Sequence, residues 1–430
     1  FFISHGVQGV MGADLMPAKY FSDVMDEYDE IRQYMGPLIS SAEANDDGIA
    51  IHYSIASDHL SSMIPGSASP ATEQTVLIDL LDGQGYGYKY LSSKQIEGGQ
   101  LLSGETKILF LSLSQALSDK EQVELRKFVE KGGTVVADLN PGIADGNCKL
   151  NKGGTGSLFG VEFIDVKYHN VSDVAIESNS ILEEVVTVKN TIVNPSIKIV
   201  DATGVSYFQE TPIMITNKIG AGKTYLLNLV LSTFKEEPEA LKIINGILNK
   251  AGINKKYNLV TEDVVVAKSY KNGQQEILTA YFPQILTANW TLETSESRHV
   301  WDSRTGRYLG YGTQFEIPVY IERHPAYVFA IQEDNQQNIS FDLAASCSLG
   351  DSISCSIKLE NDNVDFRIIR LDVYTPDGKL FEPFTRTIKV EGSGMSFKLD
   401  VALNDQKGTW LFKASDVSTG CQVEKSLEVK

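Results

Sequence analysis

Residues 106–139 read TKILFLSLSQALSDKEQVELRKFVEKGGTVVADL. Two short apolar runs, ILFL and TVVADL, enclose a polar stretch with apolar residues at helical spacing. Ser118-x-x-Glu121 fits a capping box at its start, and Gly132-Gly133 gives the expected stop. Continuous apolar strands on either side of an amphipathic helix predict a parallel sheet covered on both faces.

The same alternation extends outward. IAIHYSIAS predicts a strand over 49–55, followed by Ser and Asp capping signals. The helix-like ALKIINGILNKAGI closes the region near residue 253. Upstream, Tyr20, Phe21, Val24, Met25, Tyr28, Ile31 and Met35 fall at spacings of three and four, one apolar helical stripe that Gly36-Pro37 should end or kink. The chain opens on FFISHGVQGVMGADLM without an initiator Met or a leader pattern, so it is expected to be a piece of a longer protein.

Beyond residue 258 only strand patterns remain. Asn272-Gly273 lies between two apolar runs, a two-residue hairpin signal, and Arg304-Thr305-Gly306 marks a second turn. After the polar link EDNQQN, the block Ile339 to Lys430 carries turns at Pro376-Asp377-Gly378 and Asn404-Asp405, which suits a β-sandwich. The expected class is therefore multidomain α/β plus all-β: a flavodoxin- or amidotransferase-like parallel domain, then two β-sandwich-type domains.

Charge narrows the function classes. Lys+Arg 38 against Asp+Glu 56 leaves a net charge of −18, which argues against non-specific nucleic-acid binding and gives no attraction to anionic lipid. No run of eighteen apolar residues occurs to form a membrane-spanning helix. Cys148, Cys347, Cys355 and Cys421 contain no CxxC and no histidine at ligand spacing, so no metal site is assigned. A disulfide among the last three and free thiols both remain open.

One segment imitates a nucleotide site. NKIGAGKTYLLNLVL, residues 217–231, contains Gly222-Lys223-Thr224, but a phosphate-binding loop needs a glycine where Asn217 stands and a helix where a strand pattern follows. A hairpin turning at Gly220-Ala221-Gly222 is expected, and no cofactor is assigned. Nucleophilic catalysis fares no better: Ser112-Leu113-Ser114-Gln115-Ala116 follows a strand without the glycines of a nucleophile elbow.

Of the carboxylates, Asp23, Asp26, Glu27, Asp29 and Glu30 read as a solvated helix face. Asp138 and Asp145 flank a loop at the carboxyl end of a strand, where α/β folds bind ligands, although capping explains them as well. His5, His52, His59, His169, His299 and His324 are scattered and form no recognisable site. Trp290, Trp301 and Trp410 sit in strand patterns, as core residues do, with a carbohydrate platform as the sharper alternative.

Several of these features occur together in a known family. ALSDKE, LRKFVEKGGTVVADL, the Pro141-Gly142 turn with Asp145, Leu158-Phe159-Gly160-Val161, IAIHYSIAS, PIMITNKIGAGKTYLLNL and KIINGILNKAGI resemble the trimerisation domain of family 42 glycoside hydrolases (β-galactosidases), which has a class I glutamine-amidotransferase-like fold. SHGVQGVMGADLM and the helix after it are similar to the end of that family's (β/α)8 barrel, and KSYKNGQQEI with HVWDSRTGRYLGY to its small β domain. LDVYTPDGKL and KGTWLFKASDVSTG look like an added immunoglobulin- or macroglobulin-like domain.

The resemblance implies four parts: 1–44, barrel end and linker helix; 45–258, trimerisation domain; 259–334, small β domain; 335–430, added sandwich. It further implies a homo-oligomer (a trimer), carbohydrate as the ligand of the whole protein and, from the added domain, a periplasmic or secreted setting rather than a cytoplasmic one. In that family the two catalytic carboxyl groups come from barrel strands earlier than the eighth, so no catalytic, cofactor-binding or metal residue is assigned here. Met11-Gly12-Ala13-Asp14, lacking the aromatic residue found after the eighth strand in family members, departs from the pattern for galactosides. The competing expectation is a stand-alone glycan- or protein-binding scaffold of the cell envelope. An amidotransferase-like enzyme fails on the missing elbow.

Overall fold

The computed structural model describes residues 28–64, 67–151, 154–234, 238–284, 288–319, 326–335, 339–359, 363–392 and 394–430. The expected end of the barrel with Met11 to Asp14 after its last strand, the stripe from Tyr20 to Met25, the carboxylates Asp23, Asp26 and Glu27, and His5 and His324 lie outside these residues. The chain divides into two compact units, Asp46–Lys255 and a second made of Phe1–Asn45 with Lys256–Lys430.

The first unit is built on a seven-stranded sheet. Its order is Thr203–Phe208, Thr211–Ile219, Gly222–Leu227, Thr134–Ala137, Ile108–Leu111, Ile49–Tyr53, Tyr88–Ser92. The last five strands run parallel; Thr211–Ile219 is added antiparallel at one edge, and Thr203–Phe208 pairs antiparallel with it in turn. Alternation along each strand sends side chains to opposite faces. Ile49, Ile51, Ile108, Phe110, Val136, Tyr225 and Leu227 pack on one side with the helices Pro70–Asp82 and Pro238–Lys250. Ala50, Leu109, Leu111, Val135, Ala137 and Leu226 pack on the other with the helix Asp119–Glu130. Both faces are covered at the centre of the sheet, which is why Ile108–Leu111 and Thr134–Ala137 are buried along their whole length.

The local signals explain the elements. Ser118 Oγ accepts from Glu121 N at 3.2 Å while Glu121 Oε2 accepts from Ser118 N at 2.7 Å, the complete capping box. Gly132 follows with φ +111, a conformation that favours glycine. The hairpin Thr211–Ile219 to Gly222–Leu227 closes with Ile219 opposite Gly222 and Gly220 at φ +58. A Cβ on Gly220 would lie 2.6 Å from the Glu130 carbonyl oxygen, so the turn requires glycine twice over. Strand, not helix, follows Lys223-Thr224, and the phosphate-loop reading is excluded.

In the second unit, a five-residue π-turn, Ile31–Met35, runs into the helix Gly36–Ser41. The expectation that Gly36-Pro37 ends the helix is corrected in part. The Gly36 N–H reaches back to the Ile31 carbonyl, and the widened turn carries the helical path past the proline. Met35, Leu38 and Ile39 pack against Tyr270, Ile277, Val328, Phe366, Ile368 and Val417.

The strands from Tyr257 to Gln332 form a sheet with its own core, where Trp290 stands against Phe282, Tyr327 and Phe329. The hairpin at residue 272 turns one residue later than its sequence suggests: Asn272 pairs with Gln275, and Gly273-Gln274 make the turn with Gly273 at φ +60. Asn272 instead uses its side chain, donating to the Phe366 carbonyl at 3.0 Å and accepting from the Asp365 and Phe366 N–H groups at 3.1 Å. The block from Ile339 onward is a three-stranded sheet facing a five-stranded one, with Trp410 and Phe412 in the shared core. Trp290, Trp301 and Trp410 are all buried, as core residues rather than platforms.

Candidate functional site

The parallel strands of the first unit end together, and their carboxyl edge is where this architecture binds ligands. There the chain gathers polar groups that the sequence scatters over 49 to 232. His52 lies near the end of Ile49–Tyr53, Ser112 to Gln115 follow Ile108–Leu111, and Asp138 follows Thr134–Ala137.

Leu113 adopts φ +43, a region costly for a residue with a Cβ. A nucleophile elbow also strains a residue after a strand, but it passes directly into a helix; here the next helix starts only at Asp119. The side chain at the strained position is a fully buried leucine, which has no nucleophilic atom.

One residue on, Ser114 Oγ lies 2.8 Å from His52 Nδ1, and His52 Nε2 lies 2.9 Å from Glu121 Oε1. Hydroxyl, imidazole and carboxylate thus stand in the order that activates a serine nucleophile. His52 Nε2 also lies 3.3 Å from Ser93 Oγ. Burial pushes the Glu121 carboxyl up, but His52 and the Ser118 N–H outweigh it and hold the group below its usual value. The imidazole is 0% exposed, and Ser114 and Glu121 are buried with it. Buried together, the three side chains tie the strand Ile49–Tyr53 and the loop after Ile108–Leu111 to the start of the helix Asp119–Glu130.

A second buried group sits beside it. Asp138 Oδ1 accepts the Leu113 N–H at 2.6 Å, and its Oδ2 has no hydrogen-bond partner among the described residues. Glu73, also buried, accepts the N–H groups of Leu231 at 2.6 Å and Ser232 at 3.0 Å, capping the turn Leu231–Phe234. Burial raises the Asp138 carboxyl well above its ordinary value, and the charge of Glu73 adds to it. Burial raises Glu73 as well, partly offset by the Ser232 and Leu231 donors.

Asp145, the other carboxylate singled out by sequence, is not brought to Asp138. It accepts from Asn147 N at 2.9 Å and Lys149 N at 3.0 Å, ordering its own loop. Cys148 donates to the Ala56 carbonyl at 3.2 Å. All four cysteines are free thiols, and burial pushes Cys355 up to about 11. Among the described residues, no three His, Cys, Asp or Glu side chains are grouped to hold a metal ion, and no helix is long and apolar enough to cross a membrane.

The convergence of His52, Ser114, Glu121 and Glu73 was not legible in the sequence. Its one local signal is a histidine inside the apolar run IAIHY, where a buried polar side chain must find partners.

No protein-family model matches the sequence, and no curated protein is significantly similar to it. The fold is similar to that of a β-galactosidase from Bacillus circulans sp. alkalophilus, with TM-score 0.58 and 19% identity over 73% of this chain and 45% of that one. It is similar also to Gan42B, a family 42 β-galactosidase of G. stearothermophilus, with TM-score 0.55 and 16% identity over 73% and 44%. The chain therefore spans under half the length of these enzymes. Over that part it has their α/β-plus-β-sandwich fold.

Proposed function

We propose that this chain is the non-catalytic C-terminal part of a β-galactosidase-like glycoside hydrolase, where it assembles the protein into a homo-oligomer and supports a barrel active site. Its four parts are residues 1–44, 45–258, 259–334 and 335–430, as the family resemblance divides them. The observation that carries this reading is a fold match that takes in 73% of the chain yet only 45% of the enzyme. The carboxyl edge of the sheet supports it: the strained position holds Leu113, and the relay of Ser114, His52 and Glu121 is sealed in the interior. Both are what a fold derived from an amidotransferase-like scaffold keeps when it serves as structure.

Retaining glycosidases need two carboxyl groups about 5 Å apart across the scissile bond. The reading expects the 430-residue chain to leave a nitrophenyl galactoside unhydrolysed. Turnover that scales with chain concentration and survives repeated purification would overturn it.

A second reading, a glycan-binding scaffold, is favoured by one feature. His299, Tyr308 and Tyr311 stack on the hairpin Trp290–Asp302 to Arg307–Ile317, with Tyr311 62% exposed and its ring 4.6 Å from the imidazole. Exposed aromatic faces of this kind suit sugar rings. Binding of galacto-oligosaccharides that is lost in Tyr311→Ala would favour this reading.

A further inference from the structure

The segment that imitated a nucleotide loop frames a different feature. Lys218 and Lys223 are direct cross-strand partners on either side of the Gly220 turn. Like charges placed opposite one another on a sheet destabilise the pair. Both side chains are exposed, and among the described residues no carboxylate pairs with Lys218, Lys223 or Lys250.

The three lysines rim one pocket of about 270 Å³. Lys250 comes from the end of the helix Pro238–Lys250, which packs on the same face of the sheet as Tyr225. The lining adds the side chains of Thr203, Thr216 and Tyr225 and includes no acidic residue. Thr203 and Thr216 are themselves cross-strand partners, as are Thr216 and Tyr225, so the hydroxyls and the lysines share one face of the strands. Burial holds the Tyr225 phenol above its ordinary value, keeping it a donor.

Three cations and four hydroxyl-bearing residues, Ser180 with Thr203, Thr216 and Tyr225, thus line a hollow of a chain whose net charge is −18. Placement near the C-terminal end of a helix accounts for Lys250 alone; it does not account for the opposed pair.

We propose that this pocket binds a small tetrahedral oxyanion, a phosphate or sulfate group, taken either as the free ion or as an ester on a sugar. The volume admits one such group with part of a sugar ring. The site is not a nucleotide loop: its donors are side chains on two strands and a helix end, and not successive backbone N–H groups at a helix start. It stands independently of the hydrolase reading.

The test is calorimetric titration of the whole chain with inorganic phosphate, inorganic sulfate and glucose 6-phosphate at one ionic strength held with sodium chloride. The expected result is saturable binding with Kd on the order of 1 mM, weakened at least tenfold in Lys218→Gln and in Lys223→Gln and lost in the double variant. The three lysines are exposed, so these variants should fold. Tenfold tighter binding of the sugar ester than of phosphate assigns the site to esters; equal or weaker binding assigns it to the free ion. The proposal is overturned if no oxyanion binds beyond the chloride control at 100 mM (about a hundred times that Kd), or if the double variant binds as the wild type does.

Discussion

Leu113 donates its backbone N–H to Asp138 Oδ1 across 2.6 Å, joining a strained turn on one strand to a buried carboxyl on the next. The bond explains how the turn persists. A non-glycine residue at φ +43 costs about 1–3 kcal/mol and survives only where its surroundings over-determine it. Here Asp138 holds the amide and the core holds the leucine side chain.

Burial of the same carboxyl, with the charge of Glu73 added to it, makes the first unit sensitive to rising pH despite the Leu113 bond. Asp138 and Glu73 both have native values raised above those of the unfolded chain. A raised acid contributes stability that is fully present below the unfolded value, near 3.9 for Asp, and lost as pH rises through the native value. Asp138→Asn keeps an acceptor for Leu113 and removes the titration. Hydrogen-exchange protection of Ile108–Leu111 should fall with rising pH in the wild type and fall less steeply in the variant. Equal slopes would show that Asp138 does not titrate in this range.

Glu121 serves twice, as partner of His52 and as the reciprocal half of the capping box. Glu121→Ala removes a cap, worth about 1 kcal/mol, and leaves a buried imidazole without its carboxylate, a further 1–3 kcal/mol or so. Chemical denaturation should show a loss of about 2–4 kcal/mol, while Glu124→Ala on the same helix should stay within about 0.5 kcal/mol.

The second unit contains a buried ion pair. Arg367 Nη1 lies 3.0 Å from Asp416 Oδ2, both side chains nearly inaccessible, and Asp416 also accepts from Ser418 and Thr419. Ser418 in turn links to Ser303, whose hydroxyl donates to the Ser418 carbonyl at 2.7 Å, so the network ties the two β blocks together. Asp416→Ala strands the guanidinium and should cost about 3–5 kcal/mol. The double replacement Arg367→Met with Asp416→Leu should cost markedly less. A double variant as unstable as the single one would contradict the stranded-charge account.

Gly220 tests the hairpin. With φ +58 and a Glu130 carbonyl 2.6 Å from any added Cβ, Gly220→Ala is unfavourable on both counts. A loss of at least about 1 kcal/mol is expected, against little change for Gly378→Ala relative to what its φ of +78 alone imposes, since nothing crowds that site.

What the sequence disclosed and what it withheld divide along physical lines. The doubly covered sheet was legible because burial on both faces leaves continuous apolar runs, and because Ser118, Glu121 and Gly132 mark a helix with local chemistry. The hairpin at 217–231 was legible for the same reason: strand pattern on both flanks overrules the three-residue match Gly222-Lys223-Thr224. The strained turn at Leu113 was not, since the Asp138 carboxyl that holds its amide lies 25 residues away and no glycine marks the position. Nor was the relay, whose members come from a strand, a loop and a helix start. The turn at Gly273 slipped by one residue because Asn272 is claimed by the Phe366 backbone, a partner 94 residues distant. Long-range partners write no local pattern.

The most direct test of the account is the mass of the chain in solution. Light scattering at micromolar concentration should give an oligomer, three copies of the 47.3 kDa chain in the proposed assembly. A single species at the monomer mass across that range would contradict the oligomerising role on which the proposed function rests.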